Sequence, residues 1–133
     1  MLTWTKELDV HVESIDIQHR TLIALINELQ EVIDKGMPEV MIGSVLSKVI
    51  EYAQYHFEHE ENCLIIGCYA KLNEHRCAHA ELSRRLKGME RDFHAGVPGV
   101  AQKVLETLQH WVMIHIMKAD SQYSGLLVKA GLQ

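Results

Sequence analysis

The chain has 133 residues, of which 47% are hydrophobic, and its formal net charge is −5. This length suits one sizeable core rather than two, so we expect a single domain over residues 1–133, with residues 1–15 as an N-terminal arm. An acidic chain offers no basic face to a phosphate backbone, and charged residues interrupt every apolar run. We therefore expect no nucleic-acid binding, no membrane insertion and no signal peptide.

Helix punctuation recurs along the chain, and strand patterns are nearly absent. Pro38 and Pro98 each stand two residues after a glycine and just before a helical pattern. Asp16 suits the N-cap of the first helix. The apolar periodicity predicts four long helices over residues 16–35, 38–66, 71–95 and 98–117 and a short one over 121–130. The expected fold is all-α: an up-down-up-down four-helix bundle with an N-terminal arm and a short C-terminal helix.

The three cysteines indicate a reducing compartment rather than a disulfide framework. Cys63, Cys68 and Cys77 are odd in number and show no CxxC spacing, so we expect a cytoplasmic protein. Two alternatives stay open. Cys63 and Cys68 flank a predicted helix end and could sense redox state, and Cys63 with His59 could begin a zinc site, although no second pair completes it.

Residues with metal-binding side chains occupy or adjoin the stripes that should face the core. They are His19, His56, Glu60, His75, His79, His115 and Asp120. A buried carboxylate without compensation costs on the order of several kcal/mol, and divalent cations supply that compensation. The other histidines, His11, His59, His94 and His110, are expected at the surface.

Spacing along the helices supports a shared site. Residues four apart lie on one face, so His56 with Glu60 converge, as do His75 with His79. His115 and Asp120 are five apart, which on an α-helix corresponds to about 140° of rotation. We therefore expect the fourth helix to end or bulge near residues 117–119, so that Asp120 turns inward.

The ligand types favour a pair of ions. Imidazoles mixed with carboxylates suit iron, and also zinc, copper or manganese, whereas a structural zinc site would contain thiolates. Two carboxylates are suited to bridging two ions. With five terminal imidazoles and an added oxo or hydroxo bridge, one ion would be six-coordinate and the other five-coordinate. The open position would bind a small molecule.

The chain resembles the hemerythrin family, specifically its single-domain bacterial members. The resemblance covers nearly the whole sequence and follows the family's order of motifs. These are Ile15-Asp16-x-Gln18-His19, His56-Phe57-x-x-Glu60-Glu61, His75-x-x-x-His79 and His115-Ile116-x-x-x-Asp120-x-x-Tyr123. It implies that His75, His79 and His115 hold one iron, that His19 and His56 hold the other with the open site, and that Glu60 and Asp120 bridge.

The resemblance also implies a function: reversible O2 binding at two non-heme iron ions joined by an oxo or hydroxo bridge, for oxygen storage, delivery or scavenging. The expected ligands are O2 and small anions. An apolar pocket within one turn of the ligands would keep water out, with Trp4 as a cover. The candidates to line it are Leu22, Ile23, Phe57, Trp111, Val112 and Ile116.

Two other classes of function stay open. One is an O2 or redox sensor module, although 133 residues leave no room for a fused signalling domain. The other is a di-iron enzyme such as a peroxidase, an oxidase or a nitric oxide reductase. The side chains that would serve as general acid or base are already assigned as metal ligands, so we expect no enzymatic activity.

Overall fold

The computed structural model describes residues 1–132, and every regular element within them is helical. The long helices are α1 (Glu13–Asp34), α2 (Glu39–Ile66), α3 (Leu72–His94) and α4 (Val100–Trp111). The chain continues from α4 into a π-helix (Val112–Ala119), a 3-10 turn (Asp120–Tyr123) and α5 (Ser124–Lys129). Both α1 and α3 pack against α2 and α4. The predicted all-α four-helix bundle is confirmed.

The connections between the long helices follow the glycine and proline signals. Gly36 has a φ of +62° and Gly99 a φ of +75°, backbone conformations that favour glycine. Pro38 directly precedes α2, where its missing N–H is not needed. The observed bounds of α2 and α3 therefore lie within one residue of the predicted bounds.

The predicted start of α1 is wrong. The helix begins at Glu13, and Val12 stands at its N-cap position. Asp16 lies inside the first turn, where its side chain is buried and its Oδ1 accepts a hydrogen bond from the backbone N–H of Val10 at 2.9 Å. The carboxylate therefore binds the preceding segment rather than capping the helix, and α1 begins inside the segment expected as an arm.

The C-terminal part of the bundle also differs from the prediction. Regular α geometry in α4 ends at Trp111, six residues before the predicted end, and the π-helix takes over. The last predicted helix covers only Ser124–Lys129, because a 3-10 turn occupies residues 120–123.

The buried side chains form two clusters. The larger runs between the four long helices. The smaller joins the N-terminal segment to the end of α2 and the C-terminal tail, and its members are Val10, Val12, Ile15, Cys63, Leu64, Tyr123 and Leu127. The segment before α1 is thus packed against the bundle, as expected. None of the helices within residues 1–132 combines the length and apolar character needed to cross a membrane.

Truncating a core side chain in the larger cluster tests this packing. Leu46 on α2 is fully buried, so Leu46→Ala should lower the free energy of unfolding by about 2–5 kcal/mol. Val40, on the same helix, is 85% exposed, and Val40→Ala should change it by less than about 0.5 kcal/mol. Urea denaturation followed by circular dichroism measures both values. Equal effects would contradict the placement of Leu46 in the core.

Candidate metal centre

Helices α1, α2 and α3, with the π-helix and the 3-10 turn that follow α4, bring the seven predicted ligand side chains together at one level of the bundle. All seven are buried, and Glu60 and Asp120 have no exposed surface. Their nitrogen and oxygen atoms form two groups, and the potential ligand atoms of each group lie within 4.8 Å of one another. One group contains Glu60, His75, His79 and His115, and the other contains His19, His56, Glu60 and Asp120.

Glu60 presents one oxygen to each group of imidazoles. Its Oε1 contacts His75 Nε2 and lies 3.1 Å from His79 Nε2, whereas its Oε2 lies 3.1 Å from His56 Nε2 and 3.4 Å from His19 Nε2. A carboxylate oriented in this way can bridge two cations.

Asp120 is oriented in the same manner. Its Oδ1 lies 3.0 Å from the Nε2 atoms of both His75 and His115, and its Oδ2 lies 3.3 Å from His19 Nε2. The π-helix makes this possible, because the backbone N–H of Asp120 donates to the carbonyl of His115, a bond spanning five residues. Residues five apart therefore lie above one another, and the predicted bulge between His115 and Asp120 is confirmed.

Several of these buried polar atoms make no hydrogen bond within the described residues. They are both oxygens of Asp120 and the Nε2 atoms of His79 and His115. The short contacts of Asp120 thus lack hydrogen-bond alignment, although buried polar atoms in proteins almost always have a partner. Donor atoms that converge without bonding one another are what a cation site requires, so the residues present fit a pair of metal ions.

The electrostatics of the cluster follow from burial and close contact. Burial favours neutral carboxyls, but the neighbouring imidazoles outweigh it and hold the pKa of both Glu60 and Asp120 below the usual range. Burial also favours neutral imidazoles; contacts with the two carboxylates overcome this and raise the pKa of His19 to about 9 and that of His75 to about 10. For His56 burial prevails, and its pKa is lowered. The two carboxylates thus favour the charged forms of His19 and His75, and these imidazoles favour the charged carboxylates in turn.

Three residues outside the ligand set support it. The Nδ1–H of His56 donates to Gln18 Oε1 at 2.8 Å, and the Nδ1–H of His79 donates to Glu61 Oε2 at 2.9 Å. The Tyr123 hydroxyl donates to Glu60 Oε2 at 3.0 Å, and Tyr123 is fully buried. The sequence motifs contain these residues, but their contacts were not predicted. The sequence offers one indication of their role. Gln18 and Glu61 each stand next to a ligand residue, and Tyr123 lies about one helical turn after Asp120.

Five of the six predicted pocket residues are buried members of the larger core cluster, and the half-buried Trp111 packs against that cluster. Phe57 stacks on His79 with ring centroids 4.1 Å apart, and Trp111 stacks on His115 at 4.9 Å. Both aromatic rings thus lie against the three-histidine group. Trp4 is partly buried against the same cluster, with the Arg20 guanidinium 4.7 Å from its ring centroid.

The remaining histidines and the cysteines lie outside both ligand groups. His11, His94 and His110 are exposed, as expected. His59 is only half-exposed, because its Nε2 lies 2.9 Å from Ser14 Oγ and 3.6 Å from Cys63 Sγ. All three cysteines are free thiols, and burial raises the pKa of Cys63.

Comparisons with known proteins agree with this geometry. The family model described as "Hemerythrin HHE cation binding domain" matches residues 10–127. The bacteriohemerythrin of Methylococcus capsulatus is 30% identical over 128 residues, which cover 96% of this chain and 97% of the relative. The bacteriohemerythrin of Stenotrophomonas maltophilia is 29% identical over 99% of this chain and 84% of the relative.

Solved structures give the same result. The crystal structure titled as wild-type hemerythrin superimposes with a TM-score of 0.90 at 30% identity, covering 96% of this chain and 98% of that one. A further relative by sequence, hemerythrin subunit beta of Lingula anatina, is 28% identical, covering 93% of this chain and 93% of the relative. The chain therefore belongs to the hemerythrin family, a family of O2-binding non-heme iron proteins rather than of enzymes.

Proposed function

We propose that this protein binds O2 reversibly at two non-heme iron ions held by the seven clustered side chains. The observation that carries the proposal is the orientation of Glu60 and Asp120, each of which presents one oxygen to each imidazole group. In this assignment both carboxylates bridge. His75, His79 and His115 hold one ion, and His19 and His56 hold the other.

The division of imidazoles makes the two ions unequal. Three histidines and two bridging carboxylates leave less room for an outside ligand than two histidines and the same bridges, so O2 or a small anion would bind at the ion held by His19 and His56. When bound, the iron pair would supply the electrons for reversible O2 binding.

The protein's own contribution is a site without water. Five of the six pocket residues are buried, among them Leu22, Val112 and Ile116 with no exposed surface. Apolar walls offer no hydrogen bonds to water, so a water molecule near the ligands would have few polar partners besides them. Excluding water and protons limits the irreversible oxidation of the irons by O2, because protons help O2 to leave in reduced form as peroxide. Slow loss by that route is the condition for releasing O2 unchanged.

Within this function we propose oxygen storage, delivery or scavenging by a single domain over residues 1–133. The alternatives are a sensor and a di-iron oxidase or peroxidase.

We also propose a reducing compartment such as the cytoplasm, because Cys63, Cys68 and Cys77 are all free thiols.

Reversibility separates a carrier from a catalyst. Protein from iron-fed cells should contain about two irons per chain, one for each ligand group. After anaerobic reduction, O2 should produce a visible charge-transfer band that disappears under vacuum and returns with O2 over repeated cycles. A zinc-dominated metal content would overturn the iron assignment, and steady O2 consumption would favour the enzyme alternative.

Removing a bridge should dismantle the site. Glu60→Ala takes away an oxygen from both ligand groups, so stable assembly of the iron pair should be lost. The free energy of unfolding should fall as well, by about 2.7 kcal/mol for each ion whose free concentration is one hundred times its Kd. Iron analysis and thermal melting measure the two effects. The exposed Glu51 on the same helix provides the control variant Glu51→Ala; unchanged iron content in Glu60→Ala would contradict bridging.

A hydroxyl in the pocket should shorten the life of the O2-bound protein. Val112 is fully buried and stands three residues before the ligand His115, and Val112→Thr adds a hydroxyl with little change in volume. We expect autoxidation to accelerate roughly tenfold, which corresponds to about 1.4 kcal/mol in the barrier. The decay of the visible band in air measures this rate. Val49→Thr, an equally buried change two turns from His56, should leave the rate unchanged, and equal acceleration in both variants would contradict a local effect.

A further inference from the structure

The two groups of imidazoles differ in the hydrogen-bond partners of their Nδ1 nitrogens, the ring nitrogens that do not face Glu60 and Asp120. On the three-histidine side, His79 Nδ1–H donates to the carboxylate of Glu61 at 2.9 Å. On the two-histidine side, His56 Nδ1–H donates to the amide oxygen of Gln18 at 2.8 Å, and His19 Nδ1 is buried without a hydrogen-bond partner among the described residues. One side therefore has an anionic outer acceptor that these two histidines of the other side lack.

An outer carboxylate changes what an imidazole offers a cation. It attracts the Nδ1 proton and pushes electron density toward Nε2, which raises the basicity of the ligand atom and fixes the ring orientation. An amide oxygen is uncharged and does this more weakly. The Nε2 of His79 lies 3.1 Å from Glu60 Oε1, so the ligand atom opposite the Glu61 contact faces the cluster.

The position of Glu61 explains how a further negative charge is tolerated. Its side chain is 23% exposed, and its Oε1 lies 3.4 Å from Arg76 Nε. It also lines a surface cavity of about 360 Å³ together with Arg76 and His79. Gln18, by contrast, is only 7% exposed, and a carboxylate there would add a buried charge close to Glu60 and Asp120.

We propose that Glu61 is a positioning residue that strengthens His79 as a ligand and makes the three-histidine group the tighter of the two metal sites, so that this group binds the first ion. The inference rests on the ligand assignment of the proposed function. It adds an order of loading and a residue that sets that order.

Metal titration of the metal-free protein tests the inference without O2. Cobalt(II) is the probe, because calorimetry gives the affinity of each binding step and the visible spectrum shows which ligand environment is filled. The wild-type protein should show two separate steps. Glu61→Gln should weaken the first step about 10–100-fold and alter its spectrum, while the second step is unchanged.

Two further variants make the test specific. Glu58→Gln removes the same charge from an exposed position that lines the same cavity, and it should leave both steps unchanged. Gln18→Leu removes the outer partner of His56 and should weaken the second step only. The melting temperature of the metal-free Glu61→Gln protein should stay close to that of the wild type.

Three results would overturn the inference. Unchanged affinities in Glu61→Gln would show that the carboxylate has no effect on His79 as a ligand, and equal weakening of both steps would show a general structural role. Weakening of the first step by Glu58→Gln would reduce the effect to surface charge. If the wild-type protein bound no cobalt at either step, the ligand assignment itself would fail, and the order of loading with it.

Discussion

Two fully buried carboxylates, Glu60 and Asp120, are the constraint on which the rest of the structure depends. Neither has exposed surface, and an uncompensated carboxylate in such a place costs on the order of several kcal/mol. Helices α1, α2 and α3 and the π-helix that continues α4 each contribute at least one imidazole to their surroundings. In the apolar part of the bundle, the packing requires only that the helices be in contact. At the charged centre, the ligand side chains also fix the position of each helix along the bundle axis relative to its neighbours.

Asp120 shows what this constraint costs the backbone. An α-helix would place it about 140° away from His115, and the π-helix (Val112–Ala119) instead aligns the two residues. Such segments are rare and less favourable than α-helix, and they occur mostly where function requires them. The deviation from α geometry is local, and it places the Asp120 oxygens 3.0–3.3 Å from the Nε2 atoms of His19, His75 and His115. The site thus determines the shape of the helix that carries it.

Sequence reasoning succeeds where information is local to one helix. Gly36 and Pro38 mark the end of α1 and the start of α2 because backbone conformation at these residues depends on their own chemistry. The start of α1 was missed because the Asp16 carboxylate binds Val10, a contact that no N-cap preference contains. The partners Gln18 and Glu61 were missed for a related reason. The hydrogen-bond partner of a histidine's Nδ1 depends on the rotation of the ring and on the residues of a neighbouring helix. The spacing of residues in the sequence predicts only which face of its own helix a side chain occupies.

Tyr123 connects the ligand cluster to the N-terminal and C-terminal segments of the chain. Its hydroxyl donates to Glu60 Oε2, and its ring belongs to the smaller core cluster, which holds the N-terminal segment and the C-terminal tail together. The orientation of a carboxylate that faces both imidazole groups therefore depends on the packing of the two terminal segments. Since cation binding stabilises the arrangement that binds best, an ion at this centre would stabilise the terminal segments as well. The smaller cluster then acts as part of the support of the metal centre, although none of the seven ligand side chains belongs to it.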